Sequence, residues 1–247
     1  MTNQKRLHLL DALRGLTLIS MILYHAMWNL VHLYGIDGAW YTGPGGYIWQ
    51  QSICWTFIIL AGFCWQLSRN HWKRGLLIFC GGIVVSLATH IFMAASRITF
   101  GILTFTGSAV LLMIPLEKLL KHVPPLPGLA VSAALFALLR NVPGGTLGFE
   151  GLVLGALPRQ WYRNYFTAYF GFRPPLFYSS DYFPLIPWLL LFVCGYFLFR
   201  ILRDRGWIEK LFARGNFPVL NFLGRNSLLV YLLHQPIIYG LMELFLG

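Results

Sequence analysis

Charge is what this sequence has least of. Of its 247 residues only 11% are Asp, Glu, Lys or Arg, against 57% hydrophobic and 17% aromatic. Soluble domains carry about 25% charge, so a water-soluble globule of this size could not cover its own surface. Disorder is excluded by the same numbers, because it needs low hydrophobicity. Acid is scarcer than base: eight Asp and Glu stand against 19 Lys and Arg, for a formal charge of +11. The four cysteines, Cys54, Cys64, Cys80 and Cys194, sit inside apolar runs with no metal-ligand spacing, and read as small buried apolar residues. A P-loop, a Gly-x-Ser-x-Gly elbow, an HExxH and a CxxC are all missing. Soluble-style hydrolysis and redox metal chemistry therefore have no support, and no metal is expected. The strict alternation of a membrane barrel is absent too. No cleavable signal peptide is read, since a long apolar stretch follows Thr2–Arg6 with no small-residue cleavage site.

What is present are long apolar runs. Seven can be read, at about Leu9–Tyr34, Tyr47–Ser68, Gly75–Ala95, Phe100–Leu116, Leu126–Leu139, Phe183–Phe199 and Val219–Leu246. A span needs about 20 residues. The expected fold is an all-α, polytopic transmembrane helical bundle of about seven (seven to nine) helices in one domain over 1–247. A further run, Phe149–Leu157, is too short to cross and reads as a re-entrant or interfacial segment.

The cations set the orientation. With seven spans, twelve Lys and Arg fall on one side, including Lys5, Arg6, Arg69, Lys73, Arg74 and the 200–214 cluster; five (Arg97, Arg140, Arg159, Arg163, Arg173) fall on the other. The positive-inside rule then places the N-terminus in the cytoplasm. Nucleic acid is not the implied partner of this charge; the lipid bilayer is, and a cytoplasmic polyanion is a second reason for it. The long outer stretch Asn141–Tyr182 is crowded with aromatics. It reads as an aromatic belt at the interface, with a platform for a sugar-like ligand as the sharper alternative.

Ionisable groups inside a bilayer are costly and mark function by default. The first helix holds Asp11, Arg14, His25, Asn29 and His32. Arg14 and His25 are eleven residues apart, close to three turns, so they share a face with about 16 Å between them. A polar stripe thus runs from a cytoplasmic-edge Arg to a histidine deep in the membrane, while Leu16, Ile19, Leu23 and Leu30 fall opposite. A structural polar seam, with Asp11 and Arg14 as an i,i+3 pair, is the plain alternative. An intramembrane His is a natural general base at neutral pH. The last helix carries Arg225, Asn226, Ser227, Tyr231, His234 and Gln235; Ser227, Tyr231 and His234 share a face, and Pro236 is expected to loosen the backbone there. Asp181 opens the sixth span, where a cap is expected.

These residues resemble a known family. Leu10-Asp11-Ala12-Leu13-Arg14-Gly15, followed by Met21 and His25, is similar to the opening of the membrane family that contains heparan-α-glucosaminide N-acetyltransferase, the DUF1624-type proteins. Phe100–Leu103, Asp181–Trp188, Leu223–Leu228 and Tyr231–Pro236 look like its other blocks, and His25-Ala26-Met27-Trp28-Asn29 resembles the segment around its active histidine. Thr104 stands where that pattern leads one to expect a His. The resemblance implies an acyltransferase that moves acetyl from cytoplasmic acetyl-CoA to an amino-sugar or glycan-like acceptor across the membrane. It implies catalytic roles for His25, Asn29 and His234. Arg14, Asp11, Arg69, Lys73 and Arg74 would serve the CoA moiety, and Asp181, His32 and Trp188 the acceptor. A bacterial cytoplasmic membrane is the expected location, and a homodimer is left open. The rival reading is a transporter or channel with the polar stripe as its pathway. Against it, no paired broken helices in corresponding halves can be read.

Overall fold

The computed structural model describes residues 7–213 and 215–246. Lys5, Arg6 and Arg214, used above for orientation, lie outside the described residues. Among those described, seven helices are long and apolar enough to cross a bilayer: His8–His32, Pro44–Leu67, His71–Phe92, Ile102–Leu120, Pro125–Gly144, Leu185–Asp204 and Ser227–Leu246. They coincide with the seven apolar runs, and the protein is an all-α polytopic bundle.

In chain order the helices are α1 (His8–His32), α2 (Ala39–Thr42), α3 (Pro44–Phe63), α4 (His71–Phe92), α5 (Ile102–Leu120), α6 (Pro125–Leu139), α7 (Tyr165–Phe170), α8 (Leu185–Asp204), α9 (Trp207–Phe212), α10 (Pro218–Arg225) and α11 (Ser227–Leu246). Two features differ from the sequence expectation. The last run, Val219–Leu246, is broken at Asn226, whose ψ of 25° leaves the helix, into α10 and α11. Pro236, by contrast, lies inside α11 without ending it. The short run Phe149–Leu157 is neither helix nor simple re-entrant loop. It forms most of an antiparallel hairpin, β1 (Thr146–Phe149) with β2 (Leu152–Ala156). Inside the run the chain turns back at Glu150, whose φ of 50° leaves the right-handed helix; just before it Gly148 has a φ of 131°, and a Cβ there would meet the Leu152 carbonyl.

The chain divides into two compact units, Met1–Phe57 with Leu202–Gly247, and Ile58–Ile201. In the first, α1 packs along α10 and α11. Two glycines allow the approach: a Cβ on Gly15 would meet the Leu220 carbonyl, and one on Gly224 the Asp11 carbonyl. Small residues that bring backbones together are the usual device of helix packing in lipid. Leu18, Met21 and Ile53 form the core, with Trp49, Leu223, Val230 and Tyr231 packed on it. Leu16 and Leu23, expected on the opposite face of α1, are each 54% exposed, as lipid-facing residues would be.

In the second unit α4 lies against α5, with Gly82 against Thr104 and Gly107 against Phe79. The end of α3 meets α8 through Gly62 and Gly195. Asn70 caps α4, its side chain accepting from the Lys73 amide at 2.9 Å. Cys54, Cys64 and Cys194 are buried as expected, but Cys80 is exposed on α4. The hairpin is tied to the end of α6 by an Arg140–Glu150 ion pair at 3.0 Å and by Asn141, whose amide donates to the Glu150 and Leu152 carbonyls.

Candidate functional site

The polar stripe of α1 folds against a second polar seam on α11. His25 and Asn29 are one turn apart on α1 and so project on one side; His234 and Gln235 are adjacent on α11. The His25 and His234 rings lie 4.9 Å apart, tilted by 55°. Gln235 Nε2 donates to Asn29 Oδ1 at 2.9 Å. Asn29 is fully buried and His234 nearly so, while His25 keeps part of its surface exposed.

His234 has its tautomer fixed by a neighbour. Its Nδ1 lies 2.5 Å from the Tyr231 carbonyl oxygen. A carbonyl only accepts, so Nδ1 carries the hydrogen and Nε2 presents a lone pair. That Nε2 is buried with no partner among the described residues, as are Asn29 Nδ2 and Gln235 Oε1. An orphaned polar atom at such depth is costly, about 1–3 kcal/mol, and three fall together beside His25. Gln235 is not among the site residues expected from the sequence. Its signal is its place next to His234, but its pairing with Asn29 joins two helices and belongs to the period of neither.

At the N-terminal end of the same stripe, Arg14 Nη1 sits 3.6 Å from Asp11 Oδ1. Both side chains are about one-fifth exposed, so the guanidinium stays within reach of solvent. Nearby on α10, Arg225 donates from Nε to its own helix at the Asn221 carbonyl.

His32 does not join the cluster. It is exposed at the end of α1, stacked on Trp28 with 4.9 Å between ring centroids. Asp181 and Trp188 lie in the second unit. Asp181 does not cap the helix it precedes; its Oδ2 accepts from the Ile102 amide at 3.0 Å and so closes the N-terminus of α5. Burial lifts its carboxyl to about 6, against the pull of that amide. Trp188 is buried between Phe136 and Phe183 with the Arg140 guanidinium 4.7 Å over its ring. Arg69 and Lys73 are exposed at the start of α4, and Arg74 reaches the Cys64 carbonyl at 3.5 Å. Around α7, Gln160, Trp161, Arg163, Thr167, Phe170 and Phe172 border an open groove of about 490 Å³. Burial raises the phenol of Tyr162 there, whose hydroxyl donates to the Val142 carbonyl at 2.6 Å.

The family model for the catalytic region of heparan-α-glucosaminide N-acetyltransferase matches residues 6–236. The chain belongs to that family. It is an integral membrane protein of a transmembrane N-acetyltransferase class. No curated protein and no solved structure matches it. The family match runs through both seams of the polar cluster, from the α1 stripe to Pro236 at its far end.

Proposed function

We propose that the protein transfers an acetyl group from cytoplasmic acetyl-CoA to an amino sugar or similar acceptor on the far side of a bacterial cytoplasmic membrane. The observation that carries this reading is the imidazole of His25 set against His234 and Asn29, in a chain of an N-acetyltransferase family. The N-terminus lies in the cytoplasm, so Arg14 stands at the donor side. Its guanidinium suits the phosphates of the CoA nucleotide, bidentate and always charged. The exposed cations Arg69 and Lys73, with Arg74, are a second set of phosphate candidates, tested by their own variants.

At the reacting centre, His25 takes a proton from the acceptor nitrogen as that nitrogen attacks the thioester carbonyl. The new C–N bond forms, the C–S bond breaks, and the imidazolium returns its proton to the leaving thiolate. The Nδ2 hydrogen of Asn29, without a partner among the described residues, is placed to bind the carbonyl oxygen as charge builds there. Transfer through an acetyl-imidazole on His25 is the two-step version of the same exchange.

The test is to incubate the purified protein in detergent with radiolabelled acetyl-CoA and a panel of amino sugars. Wild type transfers label, and His25→Ala loses about 10²- to 10⁴-fold of the rate while still binding CoA. Near-normal turnover by His25→Ala removes the assignment.

A further inference from the structure

The Asn29–Gln235 pair has a property that comes from amide chemistry alone. Each side chain carries one carbonyl and one NH₂, and the single bond between them uses Gln235 Nε2 and Asn29 Oδ1. Two atoms of the pair are left wholly without a partner among the described residues, the NH₂ nitrogen of Asn29 and the carbonyl oxygen of Gln235, and both are buried. Exchanging the oxygen and nitrogen of both side chains leaves the same remainder, a donor on one and an acceptor on the other. The 2.9 Å bond ties the two groups together, so the unpartnered donor and acceptor belong to one hydrogen-bonded pair.

An amide of the ligand, which carries both a carbonyl and an N–H, can satisfy both atoms. An ester or a thioester offers the carbonyl but no N–H, and leaves the Gln235 oxygen unsatisfied. We propose that Asn29 and Gln235 form a clamp that reads a secondary amide of the ligand, Asn29 donating to its carbonyl and Gln235 accepting from its N–H. The proposal rests on the reading of this cluster as the acetyl-transfer site. Two ligand groups there have this chemistry: the acetamide formed on the acceptor nitrogen, and the amides of the pantetheine arm of the donor. In the first case Gln235 becomes a specificity residue, selecting a nitrogen acceptor over a hydroxyl, because a site built to pair an N–H rejects an analogue without one.

Equilibrium binding tests this without turnover. Full-length protein in detergent is titrated with N-acetylglucosamine, with the matched ester 2-O-acetylglucose, and with pantetheine. Wild type is expected to bind an amide probe about ten- to a hundredfold more tightly than the ester. Gln235→Met, close in shape and without polar atoms, is expected to lose that margin. Loss confined to N-acetylglucosamine assigns the clamp to the product amide; loss confined to pantetheine assigns it to the donor arm. Should the variant fold poorly, the infrared carbonyl band of ¹³C-labelled N-acetylglucosamine or pantetheine on wild type gives the same answer, since a clamped amide absorbs at lower frequency than the free one. No preference for amide over ester in wild type, or unchanged affinities in Gln235→Met, overturns the proposal and leaves a buried water as the partner of these atoms. An amide preference in a protein that transfers no acetyl group would instead remove the transfer reading and keep the clamp.

Discussion

His234 holds its proton on the ring nitrogen that faces the Tyr231 carbonyl, 2.5 Å away, and the consequences are testable on that side chain. His234→Gln keeps a polar group of similar reach but loses the lone pair of Nε2. It is expected to slow acetyl transfer about tenfold or more, without altering the elution of the protein on size exclusion. Asp181 invites a different measurement. Its carboxyl titrates near 6 in the fold and near 3.9 in an unfolded chain. The raised value means that its contribution to stability is complete below about pH 4 and lost as the pH rises through about 6. Melting of the detergent-solubilised protein should therefore fall over that window, and Asp181→Asn, which keeps the oxygen that accepts from Ile102, should flatten the dependence. A wild-type curve that rises there contradicts the placement. The α1 residues could be read from the chain because i,i+4 spacing is enough to put His25 and Asn29 together. The role of Asp181 could not be read: its position suggests a cap for the helix it precedes, and it caps one that starts 79 residues earlier. Only tertiary structure supplies that pairing.

Among the elements, the long spans were legible because 20-odd apolar residues in lipid have one solution, a helix with its own hydrogen bonds. The hairpin was not, since a nine-residue apolar run fits several local structures and the chain turns back at the positive φ of Glu150, which hydropathy does not show. The break between α10 and α11 falls at the polar Gly224-Arg225-Asn226-Ser227, across which the apolar run is read as one helix, and Asn226 turns the chain there. The crossing of α1 and α10 carries the sharpest expectation at this scale. The glycines of the Arg14-Gly15 and Gly224-Arg225 pairs look like parts of a chemical motif but act in packing, each facing a backbone carbonyl of the other helix. Gly224→Ala is expected to cost about 1–3 kcal/mol, as overpacking does. Thermal unfolding in detergent would show it as a lowered midpoint, and an unchanged midpoint would mean the helices do not meet there.

For the molecule as a whole, the proposed orientation follows from the positive-inside rule. With the native cysteines replaced, single cysteines at Lys73 and Arg163 should separate cleanly under a membrane-impermeant maleimide. Arg163→Cys is expected to react in intact cells and Lys73→Cys only after permeabilisation; the opposite pattern would invert the protein and move Arg14 away from the side proposed for the donor. Another whole-molecule consequence lies in α6. Its 15 α-helical residues make a rod of about 22 Å, and only the irregular turns that carry the span on to Gly144 bring it near the hydrocarbon thickness of an ordinary bilayer, about 30 Å. Where those turns do not reach, lipid next to this helix thins or the hairpin at its C-terminal end fills the gap, with Leu152, Val153 and Leu154 all turned outward. The flank carrying α6 should accordingly gather short-chain lipids around itself, and reconstitution into bilayers of graded acyl length would find the protein most heat-resistant in the thinner ones.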